Sequence, residues 1–119
     1  MKRVQFIETE DEEPDLILSF ALDDSSIGVR SLVLLRTPKY EVLVPEYERG
    51  VHVSLEGDED IENNLLVSIK IEDSIVTICT TQRAYKLDTT RIDDEQKKQM
   101  KQLIEKLNFD SSFEVKDAG

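Results

Sequence analysis

Apolar and polar positions alternate through most of this chain. Leu16, Leu18, Phe20 and Leu22 fall on one face of an extended segment, with Asp15, Ile17, Ser19 and Ala21 on the other, the period-2 pattern of a half-buried strand. From Ile27 to Thr37, Val29, Val33 and Leu35 share one face and Leu32 and Leu34 the other, so the middle of this strand is expected to be covered on both sides. Pro38 fits the fixed φ of a reverse turn, after which Tyr40, Val42 and Val44 predict a short strand ended by Pro45. Val51, Val53 and Leu55 resume the alternation with His52 and Ser54 outward. Leu65, Val67, Ile69 and Ile71 form the cleanest stripe, and Asp73-Ser74 fits a tight hairpin into Ile75 to Thr80. Tyr85 and Leu87 mark one further strand. Before all of these, Val4 and Phe6 share one face of a segment, Lys2 to Ile7, that reads as an edge strand or as disordered.

The period then changes. Met100, Leu103, Ile104 and Leu107 recur at i, i+3, i+4 and i+7, the apolar stripe of an amphipathic helix. Asp93 fits its N-cap and Gln96 the third helical position of a capping box, while Asp94 and Glu95 complement the positive end of the dipole. Strands are never separated by helical segments, which argues against a parallel sheet of crossover units. The expected fold is α+β: a mainly antiparallel meander or partly closed barrel of about seven strands with one C-terminal amphipathic helix. Residues 1–119 fit a single domain, with 1–14 as an acidic arm or edge strand and 110–119 as a frayed tail.

Charge narrows the partners. The formal net charge is -11, and residues 1–60 hold 15 acids against 6 bases, residues 61–119 only 11 against 9. Such a field repels phosphate backbones, so nucleic-acid binding is disfavoured, and so is an anionic membrane surface. It would speed encounter with a basic protein. The run Glu8 to Asp15 places six acids and a proline in eight positions and reads as a solvated loop. No apolar run reaches membrane-spanning length, and a single cysteine, Cys79, allows no internal disulfide. A cytoplasmic protein is the expectation.

Chemistry is sparse. His52 has only Ser54 on its own strand face, which is not a catalytic triad, and Cys79 sits in an apolar strand without a nearby base in sequence. The acids from Asp58 to Glu62 lack the glycine and flanking helices of a calcium loop. No catalytic residue, metal ligand or cofactor is therefore assigned. Tyr47, between Glu46 and Glu48 in an expected turn, is the aromatic placed to serve as a contact residue.

One short motif points elsewhere. Asp23-Asp24-Ser25-Ser26-Ile27-Gly28 matches D-x-S-x-x-G and resembles the signature of PilZ domains, which bind cyclic di-GMP. The family implies a small antiparallel barrel with this motif early and a helix late, and it implies ligand-binding roles for Asp23, Ser25 and Gly28. The family's upstream R-x-x-x-R is absent; only Lys2 and Arg3 precede the motif. The resemblance thus implies either a nucleotide sensor or a relative that no longer binds. The leading expectation is a non-catalytic protein-interaction or regulatory domain with an acidic surface, of which an inhibitor of a basic toxin or nuclease is a special case.

Overall fold

The alternating segments form one eight-stranded mixed sheet against which a single helix packs. In the computed structural model, which describes residues 1–24, 28–58 and 61–118, the strands are β1 (Lys2–Glu12), β2 (Asp15–Asp24), β3 (Gly28–Arg36), β4 (His52–Leu55), β5 (Leu66–Glu72), β6 (Ile75–Thr80), β7 (Ala84–Asp88) and β8 (Glu114–Asp117). The helix α1 (Asp94–Leu107) lies between β7 and β8. Spatial order is β4-β3-β2-β1-β7-β6-β5-β8. Five neighbouring pairs are antiparallel, and β1/β7 and β5/β8 are parallel. The ladder is open, yet an antiparallel bridge between His52 and Leu65 curls it back on itself. There Val53 N–H donates to Asn64 O and Leu66 N–H to Val51 O.

The α+β class and the dominance of antiparallel pairing agree with the apolar pattern. So does the core, which takes Leu18, Phe20 and Leu22 from β2, Leu32 and Leu34 from β3, Val53 from β4, and Met100, Leu103, Ile104 and Leu107 from α1. Asp93 caps the helix, its side chain accepting from the Gln96 N–H at 2.8 Å. The second half of the capping box takes a different form. Gln96 Oε1 accepts the Ile7 N–H of β1 at 2.8 Å, so the side chain that was expected to reach back to the cap instead ties the helix to an edge that β7 leaves unpaired.

Four local expectations are corrected. The acidic run is the far half of β1, not a loop: Glu8 to Glu12 pair with β2 residue by residue, Glu8 with Ser19 through Glu12 with Asp15. Its backbone is satisfied by β2 while its carboxylates stay in water, and solvation of side chains does not prevent an extended ladder. The C-terminal stretch is not frayed, because Phe113 is buried and β8 pairs with Ser68 to Ile71 of β5. Two β-bulges shift the alternation. One, between Val4 and Phe6, turns Val4 and Ile7 inward and Phe6 outward; the other, between Leu66 and Ser68, buries Leu66 and exposes Val67. Finally, Tyr40, Val42 and Val44 form no strand. Pro38 opens a six-residue 3-10 helix, Pro38–Leu43, and a second, Glu46–Glu48, follows Pro45.

Candidate functional site

The segment between β3 and β4 carries the most conspicuous surface. Neither 3-10 helix buries an apolar side chain: Val42 is 76% exposed, Leu43 77% and Tyr47 71%, with Tyr40 also exposed. Single exposed apolar residues are ordinary, but four within eight positions form a patch of the kind that marks a contact site. Tyr47, singled out in sequence as a contact residue, lies within this patch.

Polar clamps hold the segment in place of buried apolar area. Thr37 Oγ1 donates to Asp15 Oδ1 at 2.8 Å, Arg49 Nε to Val44 O at 3.0 Å, and the Gly50 N–H to Glu41 Oε2 at 3.4 Å. His52 Nε2 lies 2.9 Å from Glu48 O, so this ring nitrogen meets a backbone carbonyl of the segment and not a carboxylate.

The strongest clamp is Arg36, the last residue of β3 and only 2% exposed. Its Nε and Nη2 grip Glu41 Oε2 and Oε1 at 2.8 and 3.0 Å. Nη1 and Nη2 grip Asp110 Oδ1 and Oδ2 at 2.9 and 2.8 Å. Nη1 also donates to Leu107 O at 2.8 Å and to Ser112 Oγ at 3.1 Å, and the exposed Phe109 ring stacks on the guanidinium at 4.3 Å. Burial pulls the Arg36 pKa down, but the hydrogen bonds and charges of Asp110 and Glu41 outweigh it and hold the group above its ordinary value. The same Arg36 hydrogen bond is the main force holding the Asp110 carboxyl down at about 2. One cation thus fixes the exposed segment, the carbonyl end of α1 and the chain leading into β8. Sequence reasoning passed over Arg36, although period 2 places it on the Leu32–Leu34 core face.

The D-x-S-x-x-G motif maps to the β2–β3 hairpin. Asp24 pairs with Gly28, and Gly28 has φ +92°, a left-handed value that accounts for glycine there without a ligand. Asp23 Oδ1 accepts from Gln5 Nε2 across the β1 bulge. Ser25 lies outside the described residues. Asp23 and Gly28 therefore stand at the two arms of one hairpin, whose inner side borders a cleft of about 370 Å³.

The remaining candidates stay apart. Cys79 is half-buried in β6 opposite Ala84 and Ser68, and among the described residues no three His, Cys, Asp or Glu side chains gather as a metal site. No helix among them is long and apolar enough to cross a membrane. Comparison with protein-family models, with curated proteins and with solved structures returns no match for this chain.

Proposed function

We propose that this chain is a non-catalytic protein-interaction domain of the cytoplasm, and that its contact surface is the clamped segment from Tyr40 to Tyr47. The observation that carries the reading is a set of apolar side chains held in water by polar anchors: Val42, Leu43 and Tyr47 stand mostly exposed, while Glu41 beneath them is locked to Arg36. A rigid aromatic and aliphatic anchor set loses little entropy on docking. The occupant favoured by charge is a partner with an apolar pocket and a basic surround. Within the segment, Lys39 and Arg49 nearly balance Glu41, Glu46 and Glu48, so attraction comes from the whole -11 field and acts on encounter, whereas the apolar anchors set the lifetime of the complex. Like charge disfavours a second copy of the chain. Inhibition of a basic toxin or nuclease is one form this contact would take.

Affinity capture at low salt with the native chain, set beside a Leu43→Ser/Tyr47→Ala variant, tests the proposal. A basic protein retained by the native chain, and lost both from the variant and as salt rises, is the expected result. Equal capture by both chains, or none by either, refutes it.

A second reading rests on the hairpin. Asp23 and Arg30 line the same cleft beside Gly28, which favours a cyclic-dinucleotide module of the PilZ kind. Calorimetric titration with cyclic di-GMP tests it, and flat heats at high protein concentration eliminate it.

A further inference from the structure

The cleft beside the hairpin has a charge and lining that the docking surface does not use. Strand register defines which side chains face into it. Val4 opposite Leu22, Lys2 opposite Leu87, Leu22 opposite Arg30, and Leu32 opposite Leu55 are paired positions, and paired residues share a face of the sheet. Leu22 and Leu87 are buried core residues, so Lys2, Arg30 and Leu55 project to the same inner side, at the mouth of the curled sheet. Tyr85, two residues before Leu87, joins them. The lining is mainly apolar, and its volume of about 370 Å³ falls within the range of small-molecule sites.

Three cations, Lys2, Arg30 and Lys86, and two carboxylates, Asp23 and the buried Asp24, line this cleft. Arg30 Nε lies 3.0 Å from Asp24 Oδ2, close enough for an ion pair, but the approach is not directed and Nε makes no hydrogen bond with the described residues. A guanidinium carries five N–H donors in a planar fork, more than one carboxylate accepts. Gly57 leaves room beside the guanidinium, since a Cβ there would sit 3.6 Å from its central carbon. Next door, a hollow of about 200 Å³ shares Leu55 and Tyr85, and in it the buried Asn64 Oδ1 has no partner among the described residues. Lys2 is exposed at the rim.

We propose that this cleft binds a small anionic amphiphile, with an apolar body against Leu22, Leu55, Tyr85 and Leu87 and a carboxylate between Arg30 and Lys2. The inward charge favours an anion here although the whole protein is acidic, and the extended apolar floor favours a hydrocarbon body over a sugar. The inference is independent of the docking surface, which lies on the β3–β4 segment, and is an alternative to the cyclic-dinucleotide reading of the same cleft.

The test is a titration of the full chain with sodium decanoate, followed by methyl NMR, with decylamine as the cationic control. The expected result is saturable shifts confined to Leu22, Leu55 and Leu87, weak or absent with decylamine. Lys2→Gln, an exposed substitution that leaves the fold intact, is expected to weaken binding roughly tenfold, the scale of one lost charge-assisted contact. Leu55→Trp, which fills the cleft, is expected to abolish it. Arg30→Gln is avoided as the sole test because it strands Asp24 and threatens folding. Absence of shifts at millimolar decanoate, an equal response to decylamine, or unchanged affinity in both variants overturns the proposal.

Discussion

Replacing Arg36 by methionine tests the physical account of this fold most severely. The substitution keeps an unbranched apolar stem in a buried position and removes only the guanidinium. Six hydrogen bonds go with it, reaching Glu41, Asp110, Ser112 and the Leu107 carbonyl. The groups left behind do not suffer equally. Asp110 has 44% of its side chain exposed, so water replaces most of what it loses and its share is about 1 kcal/mol. Glu41 is only 17% exposed, and the Leu107 carbonyl accepts its bond in a buried setting. An uncompensated buried acceptor costs about 1–3 kcal/mol, and breaking a buried ion pair by removing one partner costs about 3–5 kcal/mol. Partial exposure of both carboxylates moves the expected total to the lower end, about 3 kcal/mol.

Urea denaturation followed by circular dichroism reads this directly. With a slope of about 1.5–2 kcal/mol/M, the midpoint falls by roughly 1.5–2 M. Adding Glu41→Gln to the variant removes the stranded charge and is expected to restore about 1 kcal/mol, a coupling that additive effects do not produce. A loss below about 1 kcal/mol for Arg36→Met, or no recovery in the double variant, refutes the view that the buried guanidinium is held by compensation of charge.

Further outcomes follow from single contacts. Asp110 has a folded pKa of about 2 against an ordinary carboxylate value near 3.9. Its contribution is therefore complete above pH ~4 and lost as pH falls through ~2; Asp110→Asn is expected to cost on the order of 1 kcal/mol at pH 6, after allowance for solvent screening, with the gap closing between pH 4 and 2 in parallel urea titrations. Leu103→Ala, in the buried stripe of α1, is expected to lower stability by about 2–5 kcal/mol in the same assay. Gln96→Ala removes the acceptor of the Ile7 amide and is expected to cost about 1 kcal/mol; hydrogen exchange at Ile7 is then faster than in the native chain, and unchanged exchange counts against the edge contact. Asp93→Ala removes the helix cap and is expected to cost about 0.5–2 kcal/mol.

What was legible in the sequence is what depends on local periodicity. Leu18, Phe20 and Leu22, the stripe from Met100 to Leu107 and the Asp73-Ser74 turn are fixed by period and turn chemistry, and they stand where the pattern puts them. The bulges at Gln5 and Val67 break the period through a choice of partner register, which one strand alone does not encode. The pairing of Glu114–Asp117 depends on β5 having a free edge, again a property of the partner. Tyr40 to Val44 shows the same limit from the other side: three alternating apolar residues resemble a strand, but no neighbouring strand pairs with them, so the two prolines decide. At the contact surface Tyr47 could be singled out from its acidic neighbours, whereas Val42 and Leu43 became visible only once the segment was seen to leave its apolar side chains exposed. Arg36 needed both facts together, its phase on the core face and the carboxylates that come to it from Glu41 and Asp110, 5 and 74 residues away.

That arginine also joins stability to the proposed contact. A segment that buries no apolar side chain has no hydrophobic reason to hold one conformation, and free in water its ordering would have to be supplied at the moment of docking. Glu41 removes much of that cost by anchoring the middle of the segment to a core cation, with Arg49 and His52 fixing its far end. Arg36→Met should accordingly weaken partner binding under conditions where the domain remains folded, and through a slower productive encounter as well as a shorter lifetime, because the ordered conformation is then only fractionally populated. Lys98→Ala, at an exposed position of α1 that makes no contact with Arg36, supplies the control: it leaves the clamp intact and is expected to bind as the native chain does. Equal binding by the Arg36→Met and native chains would mean that the segment is ordered by something other than this clamp.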